Sequence, residues 1–280
     1  MAKKFIKEAS WPQLVAAAFL FCITVLALAA PLLPLADPNA ADLQSISLPP
    51  AWVDGGNPIH WLGTDAVGRD VLSRLVYGAR TSIGIGVSVT AMAAVIGVLL
   101  GILGGYFGGW TDTVVSFLIT ARLSMPVILI CLASVALFGA SFTVVVTVLG
   151  TLLWDRFALV TRAMVRQLRQ TDYVTAAYLL GASTPRILAT EILPGIAPQL
   201  IIVATLEIGL AIVLESALSF LGMGVPPPTA SWGLMISEGR NDLLFNPWLV
   251  AIPSLALFLF VTAINVFGDS LQKEALREMK

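Results

Sequence analysis

Two acidic residues, Glu207 and Glu215, stand inside one long apolar run, and a basic residue, Arg122, stands inside another. A charge held near the centre of a bilayer costs at least a few kcal/mol, so each is a candidate for handling substrate or ions along a translocation path. Glu207 and Glu215 are eight residues apart in the sequence, about 80° around a helix of 3.6 residues per turn. One helix face can therefore present both to a polar cavity and to a substrate amine. Quieter roles compete: Glu215 can cap or hydrogen-bond within the chain near the outer membrane face, and Arg122 can snorkel toward the cytoplasm.

Other kinds of chemistry are not written in the chain. A protein that hydrolyses ATP itself needs a phosphate-cradling GxxxxGK[ST] loop, and no glycine stands in that pattern. No Ser, Cys or His has the two partners of a hydrolase centre, so no catalytic residue is assigned. His60 is the only histidine and has no ligands clustered beside it, so no metal site is expected. Cys22 and Cys131 fall in apolar runs, where they are expected to pack as small apolar side chains. No nucleic-acid partner is expected.

The elements that must carry the charges are membrane spans. The chain is 58% hydrophobic and 12% charged, with a mean hydropathy of +0.90, far from the roughly 45–50% apolar and about 25% charged of soluble domains. A bilayer crossing takes about 20 helical residues. Apolar runs of that order occur at 12–35, 81–105, 113–139, 141–160, 196–222 and 246–271. They predict an all-α integral membrane protein in the lipid bilayer, with six transmembrane helices and both termini on one side. Of the sixteen Lys and Arg, ten lie on that side: Lys3, Lys4, Lys7, Arg162, Arg166, Arg169, Arg186, Lys273, Arg277 and Lys280. The other side holds four (Arg69, Arg74, Arg80, Arg240) against seven acids (Asp37, Asp42, Asp54, Asp65, Asp70, Glu238, Asp242), leaving Arg122 and Arg156 in or near spans. The positive-inside rule then makes both termini and the 161–195 loop cytoplasmic. The first run starts basic and contains Ala27-Leu28-Ala29, but exceeds the about 7–15 residues of a signal h-region, so an uncut anchor is expected.

Residues 1–57 read as the N-terminal anchor helix and the start of an external loop, 58–271 as the transmembrane domain, and 272–280 as a cytoplasmic tail. The external segment 36–80 begins loosely around Pro38, Pro49 and Pro50. Helical spacing then sets in at Val71, Leu72, Leu75 and Val76, predicting an amphipathic helix on the outer face that enters the second span. Ala93, Gly97, Gly101, Gly105 and Gly109 recur at every fourth position, a stripe that lets helices approach closely in lipid. Packing within the chain is favoured over contact with a second one. Trp11, Trp110, Trp154 and Trp248 fall near span ends and are expected as interfacial anchors.

Between Tyr173 and Pro194 the chain reads YVTAAYLLGASTPRILATEILP. Ala176 and Ala177 are small enough for a short helix to lie close against a partner protein, and Gly181 permits a positive φ that reverses the chain. Thr184 is read as a cap and Pro185 as the start of the next helix. The spacing of Thr175, Ala176, Ala177, Gly181, Leu193 and Pro194 resembles the EAA loop of ABC-transporter permeases, with Thr175 where that family carries a glutamate. Three more pieces are similar to the dipeptide, oligopeptide and nickel importer family, on the side of its C-type permease subunit. They are the patterned stretch His60–Arg80, the run Glu215–Gly222 with Val225–Pro228 and Ser231–Gly233, and Gly268-Asp269 with Leu271. The resemblance covers roughly 58–271.

It implies one permease subunit of an ABC importer in the bacterial cytoplasmic (inner) membrane. Its partners would be a homologous second permease, two cytoplasmic ATPase subunits that hold ATP and Mg, and an external substrate-binding protein, with no cofactor on this chain. It assigns ATPase coupling to Thr175, Ala176, Ala177, Gly181, Ala182, Ser183, Leu193 and Pro194. Where the family more often carries an Arg and an Asp, this chain has Phe117 and Thr120, so no inherited role passes to the third span. Dipeptides or oligopeptides lead as cargo, ahead of nickel, glutathione-like molecules, opines and sugars, and the lack of a His or Met cluster argues mildly against direct metal handling. The rival reading is an ion-coupled secondary carrier using Glu207 and Glu215. Such carriers commonly contain repeats, and no clear internal repeat is found here.

Overall fold

The computed structural model describes residues 11–278, with side chains described to Lys273. Lys3, Lys4, Lys7 and Lys280, and the side chain of Arg277, all used in the charge reading above, lie outside what is described. In chain order the helices are α1 Trp11–Ala29, α2 Val71–Ile102, α3 Gly109–Leu123, α4 Val127–Phe138, α5 Phe142–Leu152, α6 Asp155–Leu168, α7 Asp172–Leu179, α8 Thr184–Ile187, α9 Leu193–Phe220, α10 Trp232–Gly239 and α11 Trp248–Glu278. Short 3-10 or π segments extend α1, α2 and α10 and join α8 to α9.

Among the described residues, five helical segments are long and apolar enough to cross a membrane: Trp11–Leu32, Val71–Phe107, Phe142–Leu168, Thr184–Phe220 and Trp248–Lys273. The predicted span 113–139 is instead the pair α3 and α4, bent by 81°, and the total reaches six only if that pair is one broken span. Pro126 accounts for the break. Its ring removes a backbone donor and disfavours helical geometry at Met125, so the ladder stops at Ser124 and restarts at Val127.

Two other boundaries move. The second span begins at Val71 rather than 81, because the amphipathic helix expected to enter it is the first part of α2, which runs unbroken for 32 residues from a cap at Asp70, whose carboxylate accepts from the Ser73 amide at 2.7 Å. The fourth span ends at Leu168 rather than 160, because α6 continues as a helix with Arg162 and Arg166 along it and Arg169 just past its end. Hydropathy reports where lipid stops, not where a helix does.

α2 runs through the middle of the bundle, packing on α1, α5, α6 and α9. Its small-residue stripe makes that possible. A side chain at Gly97 would collide with the backbone of Trp154 and with Phe157, one at Gly101 with Thr161, and one at Gly105 with Arg162 and Val165, so the stripe is spent on α6 of the same chain. Gly109 does not share the role: it has open space around it and a φ of +55° at the start of α3. The main core gathers Ile85, Val89, Ala93, Cys131, Val145, Leu149, Phe157 and Ala211. Cys131 packs there as a small apolar group, whereas Cys22 is exposed on α1.

Trp11 and Trp110 project outward, but Trp154 is buried against Val115, Ile119 and Ala158, and is core rather than an interfacial anchor. Trp248 likewise packs half-buried with Val71, Met235 and Leu249. At that end of the bundle, the segments 36–70 and 221–247 are sewn together. Arg69 binds Asp65 at 2.7 Å and Glu238 at 3.0 Å, and the buried Arg74 reaches Glu238 at 2.6 Å. His60 pairs with Asp70 at 2.9 Å. Trp232 is fully buried; its amide donates to Ser82 Oγ at 3.1 Å and its indole N–H to the Leu75 carbonyl at 3.1 Å.

Candidate coupling loop and membrane-embedded charge site

The segment 172–194 forms a helix, a tight reversal and a second helix. Gly181 has φ +85° and open space where a Cβ would sit, so its freedom is needed for backbone conformation and not for room. The Gly181 amide donates to the Tyr178 carbonyl and the Ala182 amide to the Ala177 carbonyl, both at 3.0 Å. This is the paired closure of a helix that ends in a left-handed residue, with Ala177 and Ala182 in contact across it. The next helix is entered one residue earlier than expected: Ser183 is the cap position, Thr184 is the first helical residue, and neither Ser183 nor Thr184 supplies a side-chain cap bond.

The two alanines divide. Ala176 faces outward, while Ala177 packs inward with Val174, Ile187 and Ile196. Thr175 is exposed, its hydroxyl donating to the Thr171 carbonyl at 3.1 Å. Leu193 and Pro194 are exposed at the start of α9, Ser183 is exposed and Ala182 is half-buried. The outer surface of the reversal is apolar: Tyr178, Leu179 and Leu180 project outward, Leu180 with 88% of its surface accessible.

In the interior, Arg122 does not snorkel. Its guanidinium pairs with Asp155 at 3.1 Å, and its Nε donates to the Leu152 carbonyl. One residue along, Arg156 pairs with Glu207 Oε1 at 3.2 Å. All four charged residues line one cavity of about 220 Å³, with Val127, Leu210 and Leu214 among its apolar walls. A second cavity, of about 270 Å³, lies on the other flank of the Arg156–Glu207 pair, against Leu159, Val160, Val203 and Leu206. Two acids and two bases so placed are neutral together, which limits the cost of holding them in the bundle.

Glu215 is elsewhere. It is fully buried, and its Oε1 accepts from Ser219 at 2.8 Å and from Ser231 at 3.0 Å, tying α9 to the turn before α10. Ser231 also caps α10 through the Leu234 amide at 3.1 Å. The two carboxylates of α9 therefore do not share the cavity, despite the about 80° that separates them on an ideal helix.

Asp155, Arg156 and Glu238 carry pairing roles that the sequence analysis does not assign. Charge balance is the usable signal: an acid and a base buried in apolar runs need opposite partners, and Asp155-Arg156 is the one adjacent pair of opposite charges inside a predicted run, 141–160.

Residues 97–277 match the family of binding-protein-dependent transport system inner membrane components. The di/tripeptide transport system permease protein DppC of Pseudomonas aeruginosa is 37% identical over 254 residues, covering 91% of this chain and 84% of that protein. The dipeptide transport system permease protein DppC of Haemophilus influenzae is 35% identical, covering 91% and 86%. The glutathione transport system permease protein GsiD of Escherichia coli is 38% identical over 213 residues, covering 76% and 70%. Among solved structures, a chain of the MetNI methionine ABC transporter in an inward-facing conformation superposes with a TM-score of 0.55 at 18% identity, over 72% of this chain and 95% of that one, a likeness of fold. With its several long apolar helices the protein is a multi-pass membrane protein. The chain belongs to the binding-protein-dependent transport system inner membrane component family, the permeases of ABC importers.

Proposed function

We propose that this chain is one of two permease subunits of an ATP-driven peptide importer in a bacterial inner membrane, with dipeptides or short oligopeptides as cargo. The observation that carries the reading is the reversal at 178–182: three apolar side chains are held out on a rigid, glycine-closed helix end, within a chain of this family. Exposed apolar groups in such an arrangement mark a protein docking surface. The proposed partner is one of two cytoplasmic ATPase subunits. Thr175, Ala176, Gly181, Ser183, Leu193 and Pro194 border the contact, and Ala177 and Ala182 brace it from behind. ATP and Mg are held by those subunits, whose closure moves α7 and α8 as a rigid body and carries the spans with them. The basic side of the chain, including both termini, is cytoplasmic, α3 and α4 make one broken span out of six, and an external binding protein delivers cargo at the acidic side. Glu207 and Arg122 border the path, and Glu215 holds its outer wall.

The test is ATP-dependent dipeptide uptake by the complete transporter in proteoliposomes, with and without an ionophore that collapses ion gradients. Uptake that follows ATP and ignores the ionophore is expected. Uptake that needs the gradient and not ATP sinks the reading in favour of a secondary carrier built on Glu207 and Glu215.

A further inference from the structure

We infer that Arg156 and Glu207 form a two-ended subsite for a zwitterionic peptide, the carboxylate taking its ammonium terminus and the guanidinium its carboxylate terminus. The inference rests on the peptide-importer reading and deepens it by naming which chemical groups of the cargo are recognised in the membrane.

The pair is lopsided. Glu207 is 1% exposed, and neither of its oxygens receives a hydrogen bond of good geometry; its contact with Arg156 is an ion pair, 3.2 Å from Oε1. An ionised carboxylate offers about four acceptor sites, and leaving them unmet away from water is costly. Glu215, on the same helix, meets part of the same difficulty with two serine hydroxyls on Oε1, its Oε2 being without a hydrogen bond. Glu207 has cavities on both flanks instead, of about 270 and 220 Å³. At about 30 Å³ per water molecule, each holds several waters or one end of a small peptide.

The two partners also differ in mobility. The Arg156 side chain is 56% exposed and can leave, whereas Arg122 is held by both Asp155 and the Leu152 carbonyl and stays as a fixed wall. A ligand bearing both charges lets the pair part without baring either member, because each charge-assisted contact is exchanged for another of the same kind. A ligand without an ammonium group gives the buried carboxylate nothing in exchange. Arg156, with 56% of its side chain exposed in the isolated chain, is less enclosed than the carboxylate. The amine of the cargo should therefore matter more than its carboxylate.

The experiment uses the complete transporter in proteoliposomes, with ATP-driven uptake of dialanine, N-acetyl-dialanine and dialanine amide. Each variant is compared with the wild type on the same cargo, so that discrimination by the binding protein cancels. Glu207→Gln is expected to lower uptake of dialanine and its amide at least about ten-fold, the scale of one hydrogen bond to a charged group, and to leave the acetylated peptide within about two-fold. Arg156→Gln is expected to act less strongly, on the two cargoes with a free carboxylate only. A second measurement decides where a blocked peptide is not delivered: alkylation of Glu207→Cys by a small cationic thiosulfonate, above that of the parent chain, should slow about ten-fold when dialanine is supplied during turnover. Equal losses on every cargo, wild-type uptake of dialanine by Glu207→Gln, or an unprotected thiol overturns the subsite. Failure of the wild-type complex to take up any peptide with ATP sinks the importer reading instead.

Discussion

The end of the bundle formed by 36–70 and 221–247 is closed on itself, while the proposed coupling loop, 172–194, and the Glu207 cavities are not. At the closed end, Arg69 and Arg74 share Asp65 and Glu238, His60 has Asp70, and one oxygen of Glu215 is held by two serines while its Oε2 lacks a hydrogen bond. At the coupling loop the imbalance is apolar, with Tyr178, Leu179 and Leu180 facing outward. At the Glu207 cavities it is polar, with a buried carboxylate short of donors. Each imbalance costs free energy in the isolated chain, and each is removed by a surface or a ligand of opposite character. The contrast separates residues that hold this subunit together from residues that await something else.

The sharpest way to break the closed end is Glu238→Ala, which strands the buried guanidinium of Arg74. Removing one partner of a buried pair costs about 3–5 kcal/mol, and Asp65 at 3.6 Å offsets part of it. Thermal unfolding of the purified subunit should show a large drop, and an unchanged midpoint would mean that the charge cluster is not what closes this end. Glu215→Gln should come next. The amide can still accept from Ser219 and Ser231, but both hydrogen bonds lose their charge, so about 1–3 kcal/mol is expected. Uptake of free-amine and blocked-amine peptides should fall together with the yield of assembled complex. A selective loss of free-amine uptake would move Glu215 from the closed end to the path.

At the open end the effects on the isolated chain are smaller and those on assembly larger. Gly181→Val forces a β-branched residue to φ +85°, a strain of about 1–2 kcal/mol that local rearrangement of the reversal relieves. The subunit should insert and unfold nearly as the wild type does, while ATPase binding and coupled transport are lost. Normal uptake by this variant would detach the reversal from coupling. Thr175→Glu is the mildest change. The position is exposed and lies in the first turns of α7, where an acid is favoured by up to about 1 kcal/mol, so retention on an ATPase-affinity resin should be equal or slightly improved. A collapse of assembly would show that the loop docks with Thr175 itself in a tight apolar contact.

How much of this was legible from the sequence follows from how local each cause is. The positive φ at Gly181 and the reversal after Leu180 are set by residues within one turn, and they were readable. So were five of the spans, since hydropathy needs only a window. The break at Ser124-Met125-Pro126 was also local, but a run of apolar residues on both sides of Pro126 concealed it. The partners of Arg122 and Glu207 were not readable, because the pairs join α3 to α6 and α6 to α9, and separations of 33 and 51 residues leave no local trace. Trp154 was misplaced for a related reason: a tryptophan near a span end is an anchor only if its helix face meets lipid, and here it meets α3.

The division between a self-contained end and an open one is tested most directly by backbone hydrogen exchange of this subunit, alone and bound to its ATPase without the external binding protein. The account predicts added protection across residues 173–182 in the complex, and no change across 60–75 and 231–239. Unchanged exchange in 173–182, with new protection at 60–75 or 231–239, would contradict it.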